Sequence, residues 1–185
     1  MRNIVLKHMA LALAGTILVL NGCAAQRTGN ASAGVTNTVY ILESVKDIPT
    51  GVVFSFRDYC AFNAERGAQD SVLDKTLVEA DAKLALHFAD GTAELRLGSS
   101  NGDNSAAFLE YQKSYASRFF YTEDQNTVEL TLNIDTWDEE RRASIEVMSA
   151  GERDAVLKSV FEKSGDMLIE PDEEDEAINY WRRTR

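Results

Sequence analysis

Few side chains of this 185-residue chain could form a catalytic set. Cys60 and His87 are the residue types of a nucleophile and its base. However, Cys60 lies among aromatic and small residues, which favours a buried structural thiol over a reactive or intermolecular one. No nucleophile elbow is predicted, because the one Gly-x-Ser-x-Gly match, Gly98–Gly102, lies in a predicted loop after a hairpin and not in a turn from a strand to a helix. No glycine-rich phosphate loop occurs. We therefore expect a protein that is not an enzyme and has no cofactor. A hydrolase that uses Cys60 or a pair of carboxylates is the alternative.

Metal ligands are equally sparse. His87 is the only histidine after position 23, so a structural zinc site would lack ligands. Acidic and amide side chains cluster at 101–104, 135–139 and 172–176, but none of these clusters has EF-hand spacing. We interpret them as solvated loops and predict no metal site.

Three aromatic residues are the candidates for binding a ligand or a partner. Trp137 precedes an acidic stretch and is expected to anchor the end of a hairpin. Tyr180 and Trp181 precede two arginines, a combination that suits wet interfaces. The ordinary interpretation is a C-terminal helix folded back on the core. The alternative, which makes this pair a candidate site, is that it docks a partner or faces a membrane.

The first 23 residues have the three-part build of an export signal. Arg2 and Lys7 precede an uncharged apolar run, and Leu20-Asn21-Gly22-Cys23 closes the segment. This segment resembles the type II signal peptide of bacterial lipoproteins, with Asn21 where alanine or serine is usual. The resemblance implies that Cys23 becomes the first mature residue and carries a lipid. Ala24, in place of aspartate, implies the outer membrane, with the protein facing the periplasm.

Two alternatives to the lipoprotein signal are simple secretion and a retained membrane helix. The apolar run is shorter than the roughly 20 residues that a spanning helix needs. The resemblance divides the chain into a signal peptide at 1–22, a lipidated cysteine with a tether at 23–36, one domain at 37–170 and a tail at 171–185.

The chain is strongly acidic. Removing residues 1–22 takes away two basic residues and no acid, so the net charge changes from −11 to −13. Such a charge repels nucleic-acid phosphates, and we expect no nucleic-acid partner.

The clearest predicted element is a hairpin at 83–98. Apolar residues alternate on both sides of Asp90-Gly91, a sequence that favours a type I′ turn. This register places His87 opposite Glu94 on the outer face, as a cross-strand ion pair. It places three apolar pairs on the other face: Leu84 with Leu97, Leu86 with Leu95, and Phe88 with Ala93.

The remaining patterns predict further strands and one helix. Strands are expected at 38–42, 52–56, 118–122, 127–134 and 141–148, and a short helix is possible at 70–77 and at 106–116. Ser149 and Glu152 form a capping box, which predicts a helix from there to Ser164. A further short helix is possible at 177–183. The predicted fold is mainly β: an antiparallel meander, lipocalin-like or a half-open barrel, with one packed C-terminal helix.

Two hypotheses on function follow. In the first, the chain is a non-enzymatic envelope lipoprotein. The lipid on Cys23 holds it at the membrane, and it binds a small apolar ligand or an envelope protein. In the second, it is an acidic inhibitor of a cationic secreted enzyme of the lysozyme type, whose approach the negative charge would speed.

Overall fold

A computed structural model of the chain describes residues 34–66, 71–137, 139–150, 153, 157–172 and 176–184. The predicted signal peptide, the lipidated Cys23 and most of the tether lie outside the described residues.

Nine antiparallel strands form one sheet. The strands are β1 (Val39–Asp47), β2 (Val53–Ser55), β3 (Ala82–Phe88), β4 (Thr92–Ser99), β5 (Ser117–Glu123), β6 (Thr127–Leu132), β7 (Lys158–Ser164), β8 (Met167–Asp172) and β9 (Ala177–Arg183). The helices in the described part are α1 (Phe56–Arg66), α2 (Ser71–Glu79), α3 (Ala106–Tyr115) and α4 (Glu139–Glu146), with a 3-10 turn at Ile134–Thr136.

Eight of the strands, β1 and β3 to β9, close into a barrel. Each strand from β3 to β9 pairs with its neighbour in sequence, and β9 pairs with β1 to complete the circle. The mainly β, lipocalin-like meander predicted from the sequence is therefore confirmed, and the barrel is closed. The ninth strand, β2, pairs with residues 44–46 of β1, beyond the part of β1 that pairs with β3.

The helices connect strands at one end of the barrel. α1 and α2 follow β2 and lead to β3, while α3 leads to β5 and α4 precedes β7. α1 contacts β1 and β2, and α2 contacts β3. At the opposite end the connections are tight turns of two or three residues, at 89–91, 124–126 and 165–166. One end of the barrel is thus covered by helices and the other by turns.

The predicted hairpin at 83–98 is confirmed in its register. The pairs Phe88 with Ala93, Leu86 with Leu95 and Leu84 with Leu97 all form, and they face the interior. The turn differs in detail, because only Gly91 has a positive φ, of 70°, whereas a type I′ turn needs one at Asp90 as well. The strand at 118–122 is confirmed as β5, and the strand at 127–134 as β6, which ends at Leu132 because Ile134 begins the 3-10 turn.

One prediction between β6 and β8 was wrong, and another was wrong in its second half. Residues 141–148 were expected to form a strand, but α4 covers Glu139–Glu146. The apparent alternation was misleading, because Ile145 is buried while Val147 is 86% exposed. The helix expected from Ser149 to Ser164 is helical at residues 150, 153 and 157, but its last seven residues form β7. There Val160 is exposed and Phe161 buried, which is the two-residue period of a strand. The capping-box residue Glu152 lies outside the described residues.

The C-terminal segment is part of the barrel. The prediction of a tail at 171–185 with a short helix at 177–183 was wrong, because this segment contains the end of β8 and all of β9. β9 alternates buried Ala177 and Trp181 with outward-facing neighbours, so it is a strand of the same domain as β1. α1 was not predicted, and the strand expected at 52–56 is reduced to the three residues of β2.

The turn end of the barrel is filled. Tyr40, Phe88 and Tyr121 pack edge to face, with ring centroids 5.8 and 5.2 Å apart. Such aromatic contacts add to the stabilisation that burial gives. Val35 precedes β1 at this same end of the barrel and is fully buried. None of these three rings lines the cavity that is described below.

A buried ion pair fastens this end. Lys163 Nζ lies 2.6 Å from Glu123 Oε1, and the lysine side chain is only 4% exposed. The backbone N–H of Val35 donates to both Glu123 carboxylate oxygens, at 3.1 and 3.2 Å. Glu123 therefore joins three segments: the start of the described chain, β5 and β7.

Replacing Lys163 by methionine should lower the free energy of unfolding by about 2 kcal/mol, because Glu123, which is 19% exposed, loses its charged hydrogen-bond donor. Lys158→Met on the same strand is the control. Its amine lies 4.0 Å from Glu129, both side chains are 43% exposed, and the loss should stay under about 1 kcal/mol. Urea denaturation measures both variants. Equal losses would contradict the role given to Lys163.

Candidate functional site

The helix-covered end of the barrel encloses a cavity of about 300 Å³. This volume lies at the lower limit of the range for small-molecule sites, roughly 300–1,000 Å³. Most of the wall is apolar. Barrel strands contribute Leu42, Val45, Leu84, Leu86, Leu95, Phe119, Leu130, Phe161 and Trp181, and the helices contribute Phe56, Tyr59, Leu73, Tyr111 and Tyr115.

Small and polar residues leave the space open. Ser117 and Ser159 line the barrel wall, and Ser114 lies on α3. An eight-stranded barrel is just wide enough to be filled by its own side chains or to hold one small ligand. The aromatic rings fill the turn end, whereas small side chains at these positions allow the helix end to stay hollow.

The helices over the cavity are held by local hydrogen bonds. Ser55 caps α1 by accepting from the backbone N–H of Asp58 at 3.1 Å, and Ser105 caps α3 by accepting from that of Phe108 at 3.2 Å. Gln112 on α3 donates to the backbone carbonyl of Leu97 at 2.9 Å, which fixes α3 against β4. Hydrogen bonds from side chains to the backbone thus position these helices, and backbone pairing within the sheet does not.

The carboxyl group of Glu170 interrupts the apolar wall. Glu170 lies on β8 and lines the cavity, and its Oε2 accepts from Trp181 Nε1 at 3.1 Å and from Asn179 Nδ2 at 3.3 Å. Burial raises the pKa of Glu170 to about 7, with Asp172 raising it further and the two hydrogen bonds opposing the rise. Glu170 therefore changes charge near neutral pH.

The structure brings one of the three predicted aromatic residues to this site. Trp181 is buried and lines the cavity. Tyr180, its neighbour on β9, points away from the interior and pairs in register with Ile169. Trp137 follows the 3-10 turn and packs partly against the core, and it is not a cavity residue.

The candidate nucleophile and base do not form a pair. Cys60 is buried on α1, and burial raises the pKa of its thiol to about 12, so it is the structural thiol that we predicted. His87 lies on the outer face of β3, and partial burial and Arg96 lower its pKa. The predicted ion pair with Glu94 is wrong, because Glu94 pairs with Arg96 and Arg118 and His87 is neutral near pH 7.

The described residues contain no group of three or more His, Cys, Asp or Glu side chains that could hold a metal ion. In the polar cluster at 101–104, side chains form hydrogen bonds with the backbone. Asn101 donates to the carbonyl of Glu79 and accepts from the N–H of Asp103, which joins the end of α2 to the segment before α3.

Sequence reasoning missed Glu170. The signal was an acid two residues after Leu168 in the apolar run Met167–Ile169, because residues two apart lie on one face of a strand. The tail that was predicted to start at residue 171 hid this pattern. Pro171 is exposed and sits within β8, opposite Ile178.

Comparison with known proteins gives no relative: no family model, no curated protein and no solved structure matches this chain. No helix in the part of the chain that the structure describes is long and apolar enough to cross a membrane.

Glu170→Gln should make the protein more stable at alkaline pH. The raised pKa of Glu170 means that the folded state resists its ionisation, so this group's contribution is complete below the unfolded value of 4.5 and is lost as pH rises through about 7. Between about pH 4 and pH 8, the wild type should lose up to about 3 kcal/mol of unfolding free energy relative to Glu170→Gln. Chemical denaturation at each pH measures the difference, and parallel curves would contradict the assignment.

Proposed function

We propose that this protein is a non-enzymatic binding protein that holds a small apolar molecule inside its barrel. The observation that supports the proposal is the cavity of about 300 Å³, whose wall is mostly apolar and carries a few polar groups at defined places. Sites for small molecules have this composition, since apolar walls give affinity and a few polar groups set orientation. An envelope protein as the partner is the alternative.

The distribution of packing supports a ligand over a purely structural role. The turn end is closed by aromatic rings and a buried ion pair, which is enough to hold the strands together there. An empty apolar cavity costs stability in proportion to its volume, so a chain selected only for stability would fill it. Ser159 on β7 is a position where a larger side chain would do so.

Decanol should bind the chain with one molecule per barrel, and Ser159→Phe should weaken this binding at least about tenfold by occupying the cavity. Val160→Phe is the matched control, because Val160 is the next residue on β7, faces outward and is 50% exposed. Titration calorimetry compares the three proteins. If decanol, decylamine and decanoic acid all fail to bind the wild type, or if Ser159→Phe binds like the wild type, the proposal is wrong.

We also propose that Cys23 carries a lipid that holds this domain at a bacterial envelope, at the outer membrane and facing the periplasm. The proposal is supported by the resemblance of residues 1–23 to a lipoprotein signal. The polar segment from Ala24 to Thr36 would serve as a tether.

Mass spectrometry of the chain expressed in a bacterial host should find an acylated N-terminus at Cys23 in the membrane fraction. Cys23→Ser should abolish the modification, whereas Cys60→Ala should keep it, because Cys60 is buried within the domain. A chain that still begins at Met1, or an unmodified thiol at position 23, would contradict the lipid anchor and leave the binding proposal untouched.

A further inference from the structure

The charged groups of the cavity are all acidic. Glu170 and Asp172 lie two residues apart on β8 and both line the wall, and Asn179 lies opposite Glu170 on β9. No lysine, arginine or histidine is among the described residues that line the cavity. The wall therefore has one acidic side within an otherwise apolar surface.

The two oxygens of Glu170 are used differently. Oε2 accepts hydrogen bonds from Trp181 and Asn179, whereas no described residue donates to Oε1. No fully enclosed side-chain oxygen or nitrogen in the described part lacks a partner, so Oε1 is reachable from the cavity. A carboxylate oxygen in apolar surroundings is costly unless a donor or a cation meets it. Oε1 is thus an acceptor that no described residue fills.

The negative charge of the ionised Glu170 carboxyl group favours some classes of ligand over others. A fatty acid would bring a third carboxylate beside Glu170 and Asp172, and none of the described lining residues is basic, which disfavours binding. An alcohol can donate one hydrogen bond to Oε1 but leaves the charge uncompensated. A protonated amine donates and also neutralises the carboxylate, and hydrogen bonds between charged groups are the stronger kind.

We infer that the cavity takes a cationic amphiphile: an apolar chain or ring system with a protonated amine, which Glu170 receives at Oε1 while the apolar part lies against the barrel wall. This inference rests on the proposed function. Trp181 and Asn179 are positioning residues here, because their hydrogen bonds to Oε2 orient the carboxyl group. The net charge of −11 favours the approach of such a ligand from solution.

The test compares three probes of equal chain length, decylamine, decanol and decanoic acid, by titration calorimetry at about pH 8. This pH lies above the pKa of Glu170, so its carboxyl group is mostly ionised. Decylamine should bind the wild type about tenfold or more tightly than decanol does, and decanoic acid most weakly. Glu170→Gln should remove the preference for the amine while decanol affinity changes little. Glu129→Gln, which removes one negative charge from the 43% exposed Glu129 on β6, should leave all three affinities unchanged.

The outcomes separate this inference from the proposed function. Equal binding of decylamine and decanol, or an amine preference that survives Glu170→Gln, would overturn the cationic ligand and keep the apolar cavity site. A fall in amine affinity of the same size in Glu129→Gln would also overturn it, because general charge attraction would then explain the preference. Failure of all three probes would overturn the proposed function itself.

Discussion

The pairing of β9 with β1 is the constraint on which the site depends. Seven residue pairs join these strands and turn a meander into a closed barrel. Closure brings Trp181 opposite Leu42 and Asn179 opposite Val45, so the end of the chain supplies one wall of the cavity. Because β9 also pairs with β8, the same strand carries both donors to Glu170. An open sheet would expose the apolar interior, and with it the carboxyl group of Glu170, to water.

The two ends of the barrel differ in how well their buried groups are packed and paired. At the turn end, aromatic rings pack against one another, and the Lys163 amine pairs with the Glu123 carboxylate. The apolar groups there are in contact, and the charges compensate each other. At the helix end, Glu170 is held among apolar groups with its pKa raised to about 7, and the space beside it is empty of side chains. Proteins tolerate such local costs where the groups concerned serve a function. Binding of a ligand there would recover stability that the empty barrel lacks.

Local patterns in the sequence predict the middle of the fold and fail where distant pairing decides. The β3–β4 hairpin follows from alternation and a turn sequence that act within 16 residues, 83–98. β7 pairs with β6, and β9 pairs with β1. The residues of β7 and β9 do not by themselves indicate these partners, so the two strands were not predicted. The capping-box residues Ser55 and Asp58 could have revealed α1. Trp181 was identified by its residue type alone. Glu170 could be found only once β8 was known to be a strand.

A crystal structure of the chain grown with decylamine would show whether the cavity holds a cationic ligand. We expect the probe inside the barrel, with its chain between the helices and Phe161 and its nitrogen within hydrogen-bonding distance of Glu170 Oε1. A barrel whose cavity holds side chains in place of the probe, or a probe bound only on the outer surface, would contradict this expectation.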